Sequence, residues 1–416
     1  MEIWRHAALL SSTVAVCRIA RRTAMGTKSL YLATWGNPLE WLAVEYQCGG
    51  GERRSGFASV VCAEADRYVV YVLDSVITAS GGGQGRPPNR DAVEAARSAG
   101  LSVDEKDGRV AISPPQCEGW RRYVREYIGA LARRAGVEAS VVATAAVGRL
   151  GGRLYRGTPD LVLSELIHGL WREVEALGPP SGQLRIAVDV THGVNFMPTV
   201  ALWAARLIAS LALAAGYEKA VVQAYNATPG EWHYVKVYSE EVTHIQFPRP
   251  PARPAPRALY YGAPLHYAHL CREEAEPPDP TRHPQCNGAE VHYPTPHVKP
   301  LDLYEAILTK AACPQTPPTL RQLMQWHLVK ALAPTARRVV EHELNNIANR
   351  AQAINKCTKL ADLLPYAADD PQPCRDDNRN FVAHAGLLAS HTTICPHGDD
   401  HQLIIDIEKT KPCLEK

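Results

Sequence analysis

Arg379-Asn380-Phe381-Val382-Ala383-His384 places a guanidinium and an imidazole five positions apart near the end of a 416-residue chain. These two groups together can cleave a phosphodiester. An imidazole titrates near neutrality and can take or give a proton, whereas a guanidinium keeps its charge and donates two parallel hydrogen bonds to phosphate oxygens. RNA cut by its own 2′-hydroxyl needs a base for that hydroxyl, an acid for the leaving 5′-oxygen and donors for the charge building on phosphorus; it needs no metal. Spacing alone decides little, because 16 histidines scattered among many arginines produce such pairs by chance, and a second lies at Arg337 and His342. That pair sits in a charged helical run (RRVVEHE) and reads as a solvated face. Arg379 and His384 instead follow a loop rich in Asp and Pro, and open a helix whose Phe381, Val382 and Leu387 are expected to pack inward. Asn380 and His384, four apart, are neighbours on one helical face. Arg379 and His384 lie about 140° apart, so a complete cleft calls for two chains meeting across a two-fold axis.

A second constellation is Asp189-Val190-Thr191-His192-Gly193-Val194-Asn195. Gly193 permits close backbone approach, Thr191 and Asn195 offer side-chain hydrogen bonds, and Pro198 suits the first turn of a helix whose free N–H groups face an anion. The structural alternative is that Thr191 and Asn195 cap that helix and His192 is a satisfied loop histidine. Thr34-Trp35-Gly36-Asn37-Pro38 and Asp74-Ser75 are two more polar segments following strand-like runs, where open α/β sheets bind ligands. Gly81 to Gly85 lacks the lysine and hydroxyl of a phosphate-binding loop and reads as a surface loop. Arg149, Arg153 and Arg156 read as solvated charges beside the same rim.

The elements that must position these residues alternate. Strand-like runs at 29–34, 68–77, 139–147, 184–190, 220–225 and 232–238 interleave with helical patterns at 118–135, 161–177 and 196–216. Parallel strands need crossover helices, so this alternation predicts a Rossmann-like, doubly wound α/β domain. Residues 196–216 reach the roughly 20 residues of a membrane span, but Arg206 near the middle and strands on both sides point to a buried core helix and no membrane association. Beyond 246 the pattern changes. Residues 247–300 form a proline-rich linker or insertion, and 301–311, 319–332 and 335–367 are helical, with no strand pattern until 403–407. The expected organisation is an N-terminal extension (1–27, with Met25 a second candidate start), an α/β domain (28–246), the proline-rich segment (247–300) and an all-α domain (301–416).

Lys plus Arg number 45 against 43 Asp plus Glu, with 46% hydrophobic residues, which excludes a disordered or polyanion-coating chain. Eleven cysteines contain no C-x-x-C pair, and their odd number argues against a complete disulfide framework. Cys395, His397 and His401 read as a loop rather than a zinc site. A cytoplasmic location is expected.

Taken together, the two constellations resemble the CRISPR-associated CARF–HEPN ribonucleases, ancillary effectors of type III CRISPR systems activated by cyclic oligoadenylates. Asp189 to Pro198 resembles the D-x-T-H-G-x-N motif of the CARF sensor domain, and Ala33 to Pro38 is similar to that family's first strand. Arg379 to His384, extended by Ala385 and Gly386, resembles the R-N-x-x-x-H signature of HEPN nucleases. The resemblance spans about 28–246 and 301–390; the region after Ser390 departs from it. It implies a homodimer or higher homo-oligomer, a symmetric CARF pocket for a cyclic oligoadenylate, the tetra-adenylate first among them, and HEPN domains that cut single-stranded RNA without metal or cofactor. Residue by residue, it implies Thr34, Trp35, Asn37, Ser75, Thr191, His192, Gly193 and Asn195 for the ligand, and Arg379, Asn380 and His384 for catalysis. The alternative is a non-catalytic sensor whose helical domain binds protein or nucleic acid. A further expectation, with Thr191 or His192 near the ligand phosphates, is slow cleavage of the activator itself.

Overall fold

Six strands form one sheet in the spatial order Tyr234–Val242, Lys219–Ala227, Gln183–His192, Thr27–Trp35, Arg67–Leu73 and Ala139–Thr144. All neighbours are parallel except the first pair. Leu30, Leu32, Val69, Val70, Ile186 and Val188 are buried, the near-continuous apolar lining expected where helices cover both faces. The computed structural model describes residues 26–83, 86–194, 196–228, 230–364, 374 and 378–415. Met25 and Cys17 lie outside these.

Helices Trp120–Arg134, Pro159–Glu175 and Met197–Ala215 flank the sheet. The last is long and apolar enough to cross a membrane, yet most of it is buried inside the protein. Its Ser210 hydroxyl lies 2.8 Å from the Tyr304 hydroxyl, and Arg206 pairs with Glu240 of the edge strand at 2.9 Å. It is a core helix, terminated by Gly216 at φ 121°.

Several boundaries differ from the sequence reading. The second strand stops at Leu73, and Asp74–Thr78 winds as a 3-10 turn. The fourth runs to His192, so Thr191 and His192 belong to the strand rather than to the loop after it. Gly81 is not in a surface loop: Ser80–Gly82 pairs with Arg109–Ser113, and a Cβ on Gly81 would lie 2.6 Å from that of Leu39.

Residues 247–300 are folded. Pro254–Tyr260 and Pro264–Leu270 are helices, and Glu290–His292 adds in parallel to Arg153–Arg156, extending a small sheet beside the main one. Cys117–Cys286 and Cys271–Cys313 fasten this stretch to residues before and after it.

The C-terminal part contains helices Pro300–Ala311, Leu320–Gln325, His327–Lys330 and Pro334–Ala351, but the all-α expectation fails. Thr358–Lys359, Thr392–His397 and Asp400–Ile405 make an antiparallel sheet. Thr392-Thr393-Ile394 and Leu403-Ile404-Ile405 have the β-branched character of strands. Pro396 hides the first of them, and it is accommodated because Thr358–Lys359 pairs only with Thr393 and Ile394, leaving Pro396 on a free edge. The helix expected over 335–367 ends at Ala351.

Despite their odd number, the ten cysteines among the described residues all pair: besides the two bridges above, Cys48–Cys62, Cys357–Cys395 and Cys374–Cys413 are disulfides. Cys395 is therefore covalently committed and sits in a strand, not in a loop with His397 and His401.

Candidate functional site

Two loops leave the carboxyl ends of adjacent parallel strands and touch. The Gly36 N–H donates to the His192 carbonyl at 2.8 Å, and a Cβ on Gly36 would lie 2.4 Å from Val194 Cγ2, so only glycine permits this approach. Gly193 is equally confined, its Cα facing the Thr34 hydroxyl and Pro198. Asn37 pins the next turn: its side chain accepts from the Leu39 N–H and donates to the Ser80 carbonyl at 2.8 Å.

Beyond these loops lies a cavity of about 240 Å³. Trp35, Asn37 and Ser75 line it, with Leu73, Leu150, Val194 and Met197 completing an apolar wall and Ser80 adding a hydroxyl. It opens where ligands enter open α/β sheets. Ser80, Leu150 and Met197 were not singled out from sequence; the first two arrive from short strands, Ser80–Gly82 and Val147–Leu150, that periodicity does not place.

The remaining ligand candidates are engaged elsewhere. The Thr34 hydroxyl donates to the Asp189 carbonyl at 3.0 Å, and the Thr191 hydroxyl accepts from the Ala227 N–H at 2.9 Å, so Thr191 caps no helix. The His192 ring packs against Trp41, tilted by 35° at 4.4 Å between centroids, and reaches the Tyr46 hydroxyl at 3.1 Å. Burial pushes its pKa below the ordinary histidine value, with the nearby Asp189 carboxylate opposing. Asp189 is buried and accepts from Tyr31, Ser59 and the Thr191 N–H. Asn195 lies outside the described residues.

Asp74, beside Ser75, is fully buried and does not face the cavity. Arg121 bridges it at 3.0 Å and Glu165 at 2.8 Å. Burial raises the Asp74 carboxyl to about 6 despite Arg121, which pulls the other way. Glu165 also accepts the N–H groups of Ala145 and Arg282, tying the end of strand Ala139–Thr144 to the proline-rich segment. Arg153 packs over Trp120, and Arg156 pairs with Glu290.

In the C-terminal part, Arg379–Ala383 is a single helical turn, and His384 sits just past its end, donating its N–H to the Asn380 carbonyl at 3.1 Å. Arg379 and Asn380 are exposed; Phe381 and Leu387 are buried as expected, while Val382 faces solvent instead. Ala385 at φ 52° and Gly386 at φ 76° reverse the chain, and a Cβ on Gly386 would collide with His266 and Ala263. His384 Nδ1 lies 3.3 Å from the Glu343 carboxylate, contributed by helix Pro334–Ala351. Arg337 and His342, on that same helix, bond Glu341 and Asn346 on its exposed face, as a solvated pair should.

The model of the CRISPR system endoribonuclease Csx1 CARF domain matches residues 30–229, and that of the Csx1 HEPN domain matches residues 333–407. Together they span more than half of the chain, in the order and over the two constellations described. The chain belongs to the CRISPR-associated CARF–HEPN ribonucleases. It is thus a CRISPR-associated ribonuclease regulated by ligand binding, with a Rossmann-like CARF domain followed by a HEPN domain that is not purely helical. No curated protein matches the chain. The cavity belongs to the CARF domain and the Arg379–His384 turn to the HEPN domain. Within the HEPN domain, Glu343 is the residue that motif reading missed.

Proposed function

We propose that this protein is a cytoplasmic endoribonuclease that cuts single-stranded RNA without metal, in a cleft shared by two HEPN domains, and that a cyclic oligoadenylate bound across paired CARF pockets switches it on. The observation that carries this reading is the state of the three HEPN side chains: Arg379 and Asn380 are exposed, and His384 is half-exposed with one ring nitrogen held by Glu343. A carboxylate on Nδ1 fixes the proton of the neutral imidazole there and leaves Nε2 for the substrate. One imidazole then removes the 2′-hydroxyl proton and the oxygen attacks phosphorus. The imidazole of the second chain protonates the leaving 5′-oxygen, giving a 2′,3′-cyclic phosphate and a 5′-hydroxyl. Arg379 and Asn380 donate to the phosphate oxygens as charge develops.

The CARF cavity supports a symmetric activator. Its about 240 Å³ falls below the roughly 300–1,000 Å³ usual for a drug-sized ligand, so one protomer accommodates part of a ring and a second supplies the rest. Trp35, Asn37 and Ser75 are its ligand residues, with Thr34, Thr191 and His192 in the strands behind and Gly193 in the loop that follows. Cyclic tetra-adenylate is the activator proposed.

The test is cleavage of a labelled single-stranded RNA in EDTA with cyclic tetra-adenylate present. Wild type should yield 2′,3′-cyclic phosphate ends, and Arg379→Ala should yield none above background. Cutting that requires added magnesium, or that survives in Arg379→Ala, contradicts the reading.

A further inference from the structure

His266 is fully buried in helix Pro264–Leu270, within the proline-rich segment, and no step of the nuclease reading uses it. Its ring meets the buried Phe381 edge-on, with centroids 4.9 Å apart. The same ring faces Gly386, where a Cβ would lie 2.8 Å from His266 Nδ1. Phe381 precedes His384 by three positions and Gly386 follows it by two, so one imidazole supports the chain on both sides of His384. That stretch needs support from outside. Arg379–Ala383 is a single turn, far short of the roughly 12–15 residues below which isolated helices are marginal in water. Ala385 holds φ 52°, a left-handed conformation that a residue with a Cβ resists.

The ring is also oriented. The Thr410 hydroxyl gives its one hydrogen to the Asp406 carbonyl at 2.9 Å, so its oxygen accepts from His266 Nε2–H at 2.8 Å. Nδ1 then carries the lone pair, and it has no hydrogen-bond partner among the described residues. An unpaired buried acceptor costs free energy that an apolar ring would avoid, but an apolar ring could not be turned by Thr410. Burial, with a smaller push from His269, lowers the His266 pKa to about 3, so the ring is neutral and exchanges no proton near pH 7. Neither His266 nor Thr410 lies within the matched domain spans. We propose that His266, turned by Thr410, is a positioning residue of the nuclease site: it fixes the backbone around His384 so that this imidazole meets Glu343 on one nitrogen and RNA on the other. The proposal rests on the nuclease reading of the Arg379–His384 turn.

The experiment compares full-length variants in two readouts. One is cleavage of single-stranded RNA with cyclic tetra-adenylate present; the other is amide hydrogen exchange of peptides covering Gly386 and Leu387, whose N–H groups bond the Phe381 and His384 carbonyls. Thr410→Val removes the acceptor at nearly constant shape. It should lower kcat roughly tenfold at unchanged RNA KM, because a small displacement of a catalytic group suffices for such a loss, and should speed exchange over the turn about tenfold. Thr410→Ser keeps the hydroxyl and should restore both. His266→Ala should exceed Thr410→Val in both readouts. Tyr267→Phe is the control: it takes from the same helix the hydroxyl that bonds the Leu308 and Thr309 carbonyls, and should leave kcat and the turn as in wild type. Wild-type kcat and exchange in Thr410→Val, or in a folded His266→Ala, overturns the proposal. So does a loss confined to KM, no recovery in Thr410→Ser, or an equal loss in Tyr267→Phe. If wild type cuts no RNA, the nuclease reading fails, while the exchange readout still decides whether His266 and Thr410 hold the turn.

Discussion

At His384 the account depends on one ring nitrogen being held and the other left open. Glu343 does the holding, so Glu343→Gln should lower the cleavage rate about tenfold at unchanged RNA KM, and Glu343→Asp should recover part of it; a loss confined to KM would show that Glu343 only shapes the RNA-binding surface. His384→Ala should remove about 10² to 10⁴ of the rate while leaving activator affinity intact, measured by titration calorimetry. Motif reading singled out Arg379, Asn380 and His384 because they lie within six positions of sequence. It could not find Glu343, which is 41 positions away on a helix whose other charges face water. The sensor residues show the same limit. Trp35, Asn37 and Ser75 reach the cavity as placed, but Thr191 and His192 sit in an over-long strand, where their side chains serve Ala227, Trp41 and Tyr46.

The elements around the cavity are held by a buried charge cluster rather than by apolar packing alone. Arg121 alone neutralises both Asp74 and Glu165, and leaving two buried carboxylates uncompensated is costly, so Arg121→Met should destabilise the protein by about 3 kcal/mol. The pH dependence has a definite sign. Asp74 titrates at about 6 in the folded protein, above its unfolded value of 3.8, so its contribution is favourable below pH 4 and is lost as pH rises through 6. Without Arg121 that loss deepens. The deficit of Arg121→Met relative to wild type should therefore shrink between pH 7 and pH 5, as followed by thermal melting; a deficit constant with pH would place the cost in packing instead. The parallel sheet itself was legible, because Leu184–Val190 and Tyr68–Leu73 are apolar runs too short for helices and are followed by turn signals. The hairpin carrying Leu150 was not, and of the one carrying Pro396 only the second strand, read at 403–407, was, since glycine and proline interrupt the alternation of the others. Tertiary pairing, not local pattern, specifies them.

Across the molecule, five disulfides among the described residues link elements that sequence order separates. Cys357–Cys395 and Cys374–Cys413 bracket the Arg379–His384 turn, closing separations of 38 and 39 residues. Replacing Cys357 and Cys395 by Ser should cost about 2–4 kcal/mol, seen as a lower Tm, and should depress cleavage more than activator binding. Equal loss of both would mean that the bridge supports the whole chain. Which cysteines pair is a property of the folded chain, and counting them could not supply it. The order of the two domains, by contrast, was legible, because each carries its own contiguous motif and the class of secondary structure changes between them. Gating is the one property that requires every scale at once, since the activator must favour the cleft-forming arrangement through a difference in affinity between two states. The most direct measurement is the single-turnover cutting rate of one single-stranded RNA, with and without saturating cyclic tetra-adenylate. The account predicts cutting that rises at least about a hundredfold with the activator, the size of a coupling of roughly 3 kcal/mol. The same rate with and without activator, at every ring size from three to six adenylates, would contradict it.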